Sequence, residues 1–377
     1  MVLLRGALVI ALAAGLTSAV CDGLTLSSEA IAYGAVIAAL VVRPDFSRWP
    51  LAIYPVLLVV VGLCMAIGVA LGLALASVPL VFVFGLMAAL MQLLVLLLPA
   101  KLRLLSGVVA VAGVLPLLSS SPSWSDWGQE LLAIALGLAI GTGVQLAFAP
   151  PVITGSEHSA AGSAASPGQE AAEPPVAERL KAGLQSPFFW RKLVFASLAL
   201  AIGQGVGAVT PKYLYFGVVL LLNDSIGDTL GRVRDRMVGV SLGILMPLLV
   251  FNTLGIGALQ TGLVMGGTAA LVVALNSATY LRTALISSGV AFVGYGPLVA
   301  WYVPNRWVDY LMGCGLALAV GLLLFPKSAL RRYNQLKVDP AANREQLQRL
   351  LPAALEEARW LGMPLPELLT PELSGAE

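Results

Sequence analysis

Charge is what this chain has least of. Asp, Glu, Lys and Arg together supply 11% of its 377 residues while 58% are hydrophobic, against about 25% and about 45–50% in soluble domains. So little charge excludes an ordinary water-facing globular surface. Histidine is nearly absent: the one histidine, His158, lies in a Ser/Ala/Gly-rich stretch, which excludes a histidine-based catalytic or metal centre inside the apolar segments. The three cysteines, Cys21, Cys64 and Cys314, are scattered in or beside apolar runs and read as small packing residues, not as a redox or metal set. The sequence has no Gly-x-x-x-x-Gly-Lys-Ser/Thr loop and no zinc-ligand spacing. It is therefore read as neither an enzyme nor a P-loop ATP binder, and no cofactor is expected. A net charge of +2 is no footprint for a nucleic acid.

What the chain has is apolar runs. They fall at 3–21, 29–42, 51–76, 79–99, 104–118 and 130–149, and again at 192–209, 212–223, 237–254, 258–275, 283–300 and 307–325. A helix needs about 20 apolar residues to cross the hydrocarbon core, and about twelve of them would use roughly 240 residues. Hydrophobic residues plus 39 glycines just suffice, since glycine lets membrane helices approach closely. The first run has no clean small-residue cleavage site and is read as a membrane helix, not a signal peptide. The expected fold is thus an all-α integral membrane protein of about twelve transmembrane helices. Residues 1–149 and 188–326 form two membrane halves. Between them, 150–187 is rich in Ala, Ser, Gly, Pro and Glu and reads as a flexible cytoplasmic linker. Residues 327–377 form a cytoplasmic tail, in which Leu347, Leu350, Leu351 and Leu355 mark a short amphipathic helix over Asn343–Leu361.

Lys and Arg set the orientation. With an inside N-terminus, Arg5, Arg43, Arg48, Lys101, Arg103, Arg191, Lys192, Arg232, Arg234, Arg236, Arg282 and Lys327 fall inside, and only Lys212 and Arg306 outside. Asp22, Glu29 and Asp126 then lie outside. A rival with ten crossings moves Arg43, Arg48, Lys101 and Arg103 outside and fits less well. Both termini are expected in the cytoplasm, and the protein in the plasma (inner) membrane as a multi-pass protein.

The halves can be laid side by side. Gly6–Gly15 faces Leu193–Gly203, a short apolar run follows in each (Ile31–Val42 and Tyr213–Leu222), and each leads into a basic, acid-containing loop, Arg43–Arg48 and Asn223–Arg236. Trp127–Pro150 matches Trp307–Pro326 at the ends. Six crossings per half make this a parallel repeat. Short segments in matching places point to a transport pathway, because their ends must be shielded by protein or line a wet cavity.

Arg236-Met-Val-Gly239-Val-Ser-Leu-Gly243 resembles the Arg-x-x-Gly-Thr-x-x-Gly signature of the fusaric-acid-resistance-like, or aromatic acid exporter, family. Arg306-Trp-Val-Asp309-Tyr-Leu-Met-Gly313 is similar to that family's closing Arg-x-x-Asp-x-x-x-Gly element. Val240 stands where the family usually has threonine, and Arg48-Trp-Pro-Leu replaces the signature in the first half. The resemblance implies export of aromatic or other organic acids, with plant relatives resembling anion channels.

The candidate residues each have two readings. Arg232, Arg234 and Arg236 would attract an organic anion to the inner mouth or anchor the inner face. Asp224 and Asp228 would accept protons and couple transport, or pair with those arginines. Gln204 and Tyr215 would line the substrate path, or serve as helix–helix glue and interfacial anchor. Gly239, Gly243, Arg306 and Asp309 form a packing signature. Asp309 and Glu130 occupy the first turns of matching helices, where a carboxylate favours the N-terminal dipole. The expected function is secondary, proton-linked export of small organic anions, with aromatic carboxylates as the expected class. A passive anion channel and a non-transporting scaffold or accessory subunit are the alternatives. The partners are that anion and the lipid bilayer, with a single chain or a homodimer as the unit.

Overall fold

The computed structural model describes residues 2–43, 50–98, 105–118, 122–148, 175–208, 212–222, 225–293, 299–324, 328–337 and 343–366. Among them every regular element is helical. Five stretches of the described residues are long and apolar enough to cross a membrane: Arg5–Gly23, Ile53–Ala74, Leu80–Leu97, Trp124–Phe148 and Ile226–Leu254. The protein is a multi-pass membrane protein. Its surface agrees, since Leu8, Val59, Leu63, Phe82, Leu259 and Leu323 are all more than half exposed. Large apolar side chains in such number on the outside suit lipid as solvent.

The helices divide into two compact units. Unit 1 comprises 1–193 and 238–308. It holds α1 (Val2–Gly23), α2 (Ser28–Val41), α3 (Ile53–Ala74), α4 (Leu80–Leu97), α5 (Ser106–Ala112), α6 (Trp124–Phe148) and α7 (Val176–Gln185). It also holds the start of α8 (Pro187–Gly205), the end of α10 (Ile226–Gly243), α11 (Leu245–Leu254), α12 (Ala258–Ala274), α13 (Leu281–Val293) and the start of α14 (Val299–Ala319). This grouping interleaves the two consecutive halves, because α1 packs on α12. Gly262 comes against Ala11 and Gly15, and Gly266 against Ala7 and Ala11. Small residues in both helices let the backbones meet, which is the main attraction available between helices already in lipid. The core around them is built on Ala13, Ala14, Ala35, Ala38, Ala39 and Met265.

α2 and α6 also cross closely. A side chain on Gly137 would strike the Gly34 carbonyl oxygen, and one on Gly141 would come 2.8 Å from the Ala38 oxygen. The turn before α2 is fastened twice. Ser27 caps α2 by accepting from the Ala30 N–H (3.3 Å), and its own N–H donates to Gln129 Oε1 on α6 (3.0 Å). Trp127 on α6 donates its indole N–H to the Gly62 carbonyl on α3 (3.1 Å).

Unit 2 comprises 194–237 and 309–377. It holds the rest of α8, α10 and α14, together with α9 (Lys212–Leu221), a π-turn at Val320–Leu324, α15 (Ala329–Leu336) and α16 (Arg344–Leu361). Here α9 meets α14 at Gly217 and Gly313, where a Cβ on Gly217 would lie 2.7 Å from the Gly313 backbone. The glycine crossing of α2 and α6 thus has a counterpart. The tail forms a helical hairpin in which α15 and α16 share a core of Leu330, Tyr333, Leu347, Ala354 and Ala358. Glu357 accepts from the Ala329 and Leu330 N–H groups at the start of α15 (2.7 and 3.3 Å).

Three expectations change. Residues 226–236, expected as a loop, are the first turns of α10. Ser225 accepts from the Asp228 N–H (3.1 Å), and Ile226, Leu230 and Val233 form a buried stripe at helical spacing. That cap and stripe outweigh the charges. The linker is not featureless either: 176–185 form α7, whose Arg179 donates to the Leu98 carbonyl at the end of α4 (3.2 Å). The rest of the linker up to 174 lies outside the described residues. The run at 104–118 breaks into the short α5 and a 3-10 turn at Leu115–Leu118, around Gly113, which presses on Met87 and Met91.

Candidate functional site

At the C-terminal end of α2, unit 1 encloses a cavity of about 290 Å³. Val42 ends α2 in an extended conformation, so the chain leaves the helix and Arg43 follows at the rim of the cavity. Arg282 reaches it from the first turn of α13, and Tyr54 from the first turn of α3. Leu57, Leu105, Leu138 and Leu285, all buried, wall the interior. Arg43 is half-buried and Arg282 exposed. A cation just past a helix C-terminus is favoured by the helix dipole. Two guanidinium groups beside an apolar wall match a small ligand with a carboxylate at one end and a flat or aliphatic body at the other. The volume falls at the small end of ligand pockets, which run about 300–1,000 Å³.

The residues singled out in the second half do not converge on such a space. Arg232 is exposed on α10 and donates to the Leu220 carbonyl of α9 (3.2 Å). Arg234 is committed to Asp235 (3.1 and 3.2 Å) and, across the unit, to Glu356 of α16. Arg236 donates to the Tyr310 hydroxyl (3.2 Å), its guanidinium 5.4 Å from that ring's centre. Each arginine thus fastens α10 to a different neighbour: α9, the tail and α14. Asp228 accepts from the Ser225 hydroxyl (2.6 Å) while its N–H donates back, a capping arrangement. Asp224 lies outside the described residues.

Tyr215 is fully buried on α9, edge-on to Phe216 with ring centres 5.7 Å apart. Gln204 is exposed near the end of α8. Gly239 and Gly243 face α13 in unit 1. A Cβ on Gly239 would lie 2.5 Å from the Thr283 Cβ, and one on Gly243 would strike the Ala284 oxygen. The signature glycines therefore stand where the two helices come into close contact. Asp309 is buried on α14, and the side chain of Arg306 lies outside the described residues.

Arg43, Tyr54 and Arg282 carry no motif, and Arg282 lies far along the chain from the other two, so their convergence had no signature. The one available signal was that Arg43 and Arg282 each sit at the end of an apolar run on the side assigned to the cytoplasm. Glu130 was read as a helix-dipole residue; it is almost completely buried, and its Oε2 has no hydrogen-bond partner among the described residues.

Residues 198–320 match a family model described as fusaric acid resistance protein-like. Neither the curated proteins nor the solved structures contain a match.

Proposed function

We propose, from the premise that this chain carries a fusaric acid resistance protein-like domain, that it exports small organic anions, with aromatic carboxylates as the best-fitting class. The match over residues 198–320 supports a role in membrane transport; the anion and the mechanism are our reading. The observation that carries it is the cavity of unit 1, where Arg43 and Arg282 share one space with Tyr54 and buried leucines. A carboxylate is held there by charge-assisted hydrogen bonds, and an aromatic body replaces water against leucine.

The orientation expected from Lys and Arg puts Arg43 and Arg282 on the cytoplasmic side, where an exporter loads. The short helices α2 and α9, of 14 and 10 residues, reach only about 21 and 15 Å. Neither spans a core of about 30 Å, so the chain beyond their ends needs a shielded or wet surrounding. Arg232, Arg234 and Arg236 act in this reading as fasteners of α10. Arg232, the most exposed of them, keeps a secondary part in drawing anions toward the mouth.

Purified full-length protein in liposomes, loaded with radiolabelled benzoate, tests this reading. An exporter accumulates benzoate against its gradient when a proton gradient is imposed. The second reading, a passive anion channel, is favoured by the same cavity and predicts benzoate flux down its gradient with no pH requirement. No flux in either condition overturns both readings and leaves a scaffold.

A further inference from the structure

Glu130 sits on α6 at the end opposite the cavity. It is 3% exposed and its Oε2 has no hydrogen-bond partner among the described residues. α6 packs against α1, α2 and α3 there. The charged groups acting on Glu130 are Glu29 of α2 and Asp126, one turn earlier on α6. α1 ends beside this corner with Cys21 and Asp22, while its Arg5 lies at the far end and donates to the Phe148 carbonyl (2.9 Å). α3 carries no Asp, Glu, Lys or Arg, and its titratable side chains are Tyr54 and Cys64. The three carboxylates are graded in exposure: Glu29 exposed, Asp126 half-buried, Glu130 buried. Asp126 and Glu130 lie four residues apart, on one face of the helix.

An ionised carboxylate buried without a partner costs several kcal/mol, and intramembrane carboxylates mark ion or proton pathways by default. A bound proton removes that cost. A metal ion does not fit, because no group of three metal-ligating side chains occurs among the described residues. We propose that Glu130 is the proton-carrying group of this transporter, fed through Asp126 and Glu29 and linked to the anion cavity along the α2–α6 seam; this rests on the exporter reading.

The seam gives the link its physical form. Leu138 of α6 lines the cavity and stands about 12 Å along the helix from Glu130. Between them α6 meets α2 through Ala133 and Gly137 against Gly34, backbone on backbone. A tight glycine seam transmits a small shift with little side-chain cushioning. When Glu130 takes up one proton, its negative charge is lost. When α2 and α6 rearrange, the proton leaves to water on the other side and the charge returns. The orientation expected from Lys and Arg puts Glu29 and Asp126 outside and the cavity inside, so a proton enters from the side to which the anion is exported.

The test has two arms. Purified full-length protein is treated with dicyclohexylcarbodiimide, which modifies protonated carboxyls in apolar surroundings, and the adducts are mapped by mass spectrometry. Glu130 is expected to be labelled in preference to Glu29 and Asp126, the yield falling about tenfold per pH unit once it ionises. An unmodified Glu130, or labelling independent of pH, overturns the assignment.

In liposomes, Glu130→Gln should lose proton-driven benzoate accumulation by about tenfold or more while keeping benzoate–benzoate exchange, which needs no net proton movement. Glu130→Asp, retaining a carboxyl, should keep coupling with a displaced pH profile. Full proton-driven accumulation by Glu130→Gln also overturns it. If the unaltered protein moves no benzoate in any mode, the exporter reading falls, and the labelling arm still decides whether Glu130 carries a proton.

Discussion

Alanine at Gly137 and at Gly143 should shift stability in opposite directions, although both lie on α6. A Cβ on Gly137 lands on the Gly34 carbonyl oxygen, with the carbonyl carbon at 3.1 Å and the Ala38 nitrogen at 3.3 Å. Favourable carbon contacts begin near 3.5 Å, so α2 and α6 must part by about 1 Å. Such a gap forfeits roughly a quarter to a half of each contact along the seam. Overpacking of this kind costs about 1–3 kcal/mol. Gly143 is exposed, and a methyl group added to it would meet nothing within 4 Å. There alanine gains about 0.5–1 kcal/mol from helix propensity.

The two variants should therefore differ by about 1.5–4 kcal/mol. All three cysteines are free and buried, so a thiol-reactive fluorogenic dye stays dark on the folded protein and reports unfolding in detergent directly. Gly137→Ala should lower the midpoint by several degrees and Gly143→Ala should raise it. Equal shifts, or a more stable Gly137→Ala, would refute the close crossing.

Arg43→Ala should raise the apparent KM for benzoate about tenfold to a hundredfold, since a charge-assisted hydrogen bond from a half-buried group contributes about 1.5–3 kcal/mol. Arg282→Ala should raise it only a few-fold, because its exposed charge is screened; unchanged uptake in both variants sinks the cavity as the loading site. Arg234→Glu should free the tail, measured as faster protease cleavage within 328–366, and adding Glu356→Arg should restore protection; identical cleavage in all three proteins would show that this ion pair does not hold the tail. Glu357→Gln should weaken the start of α15 by about 1 kcal/mol, read as faster amide exchange at Ala329 and Leu330, with unchanged exchange as the contrary outcome.

Much of the membrane character was legible in the sequence. Runs of about 20 apolar residues have one stable fate in lipid, a helix that satisfies its own backbone, and α1, α3, α4 and α6 lie close to where hydropathy puts them. The start of α10 was not read from its charges, though Ser225 and Asp228 form a capping pair and Ile226, Leu230 and Val233 keep helical spacing. Arg232, Arg234 and Arg236 looked like one basic patch because they are neighbours in sequence. On a helix, alternate residues point in different directions, so each fastens a different partner.

Hydropathy and the pattern of Lys and Arg determined that this chain lives in a bilayer, because the cost of placing charge and bare backbone in hydrocarbon depends on local composition alone. The glycines marked where helices could come close, without saying which helices. Only the tertiary structure decided that α1 joins α12, that α2 lies on α6, and that Arg43, Tyr54 and Arg282 enclose one space. It also decided that Glu130 is sealed from solvent. Those facts depend on which apolar surfaces meet, and lipid-soluble faces of nearly equal hydrophobicity carry no local mark of their partner.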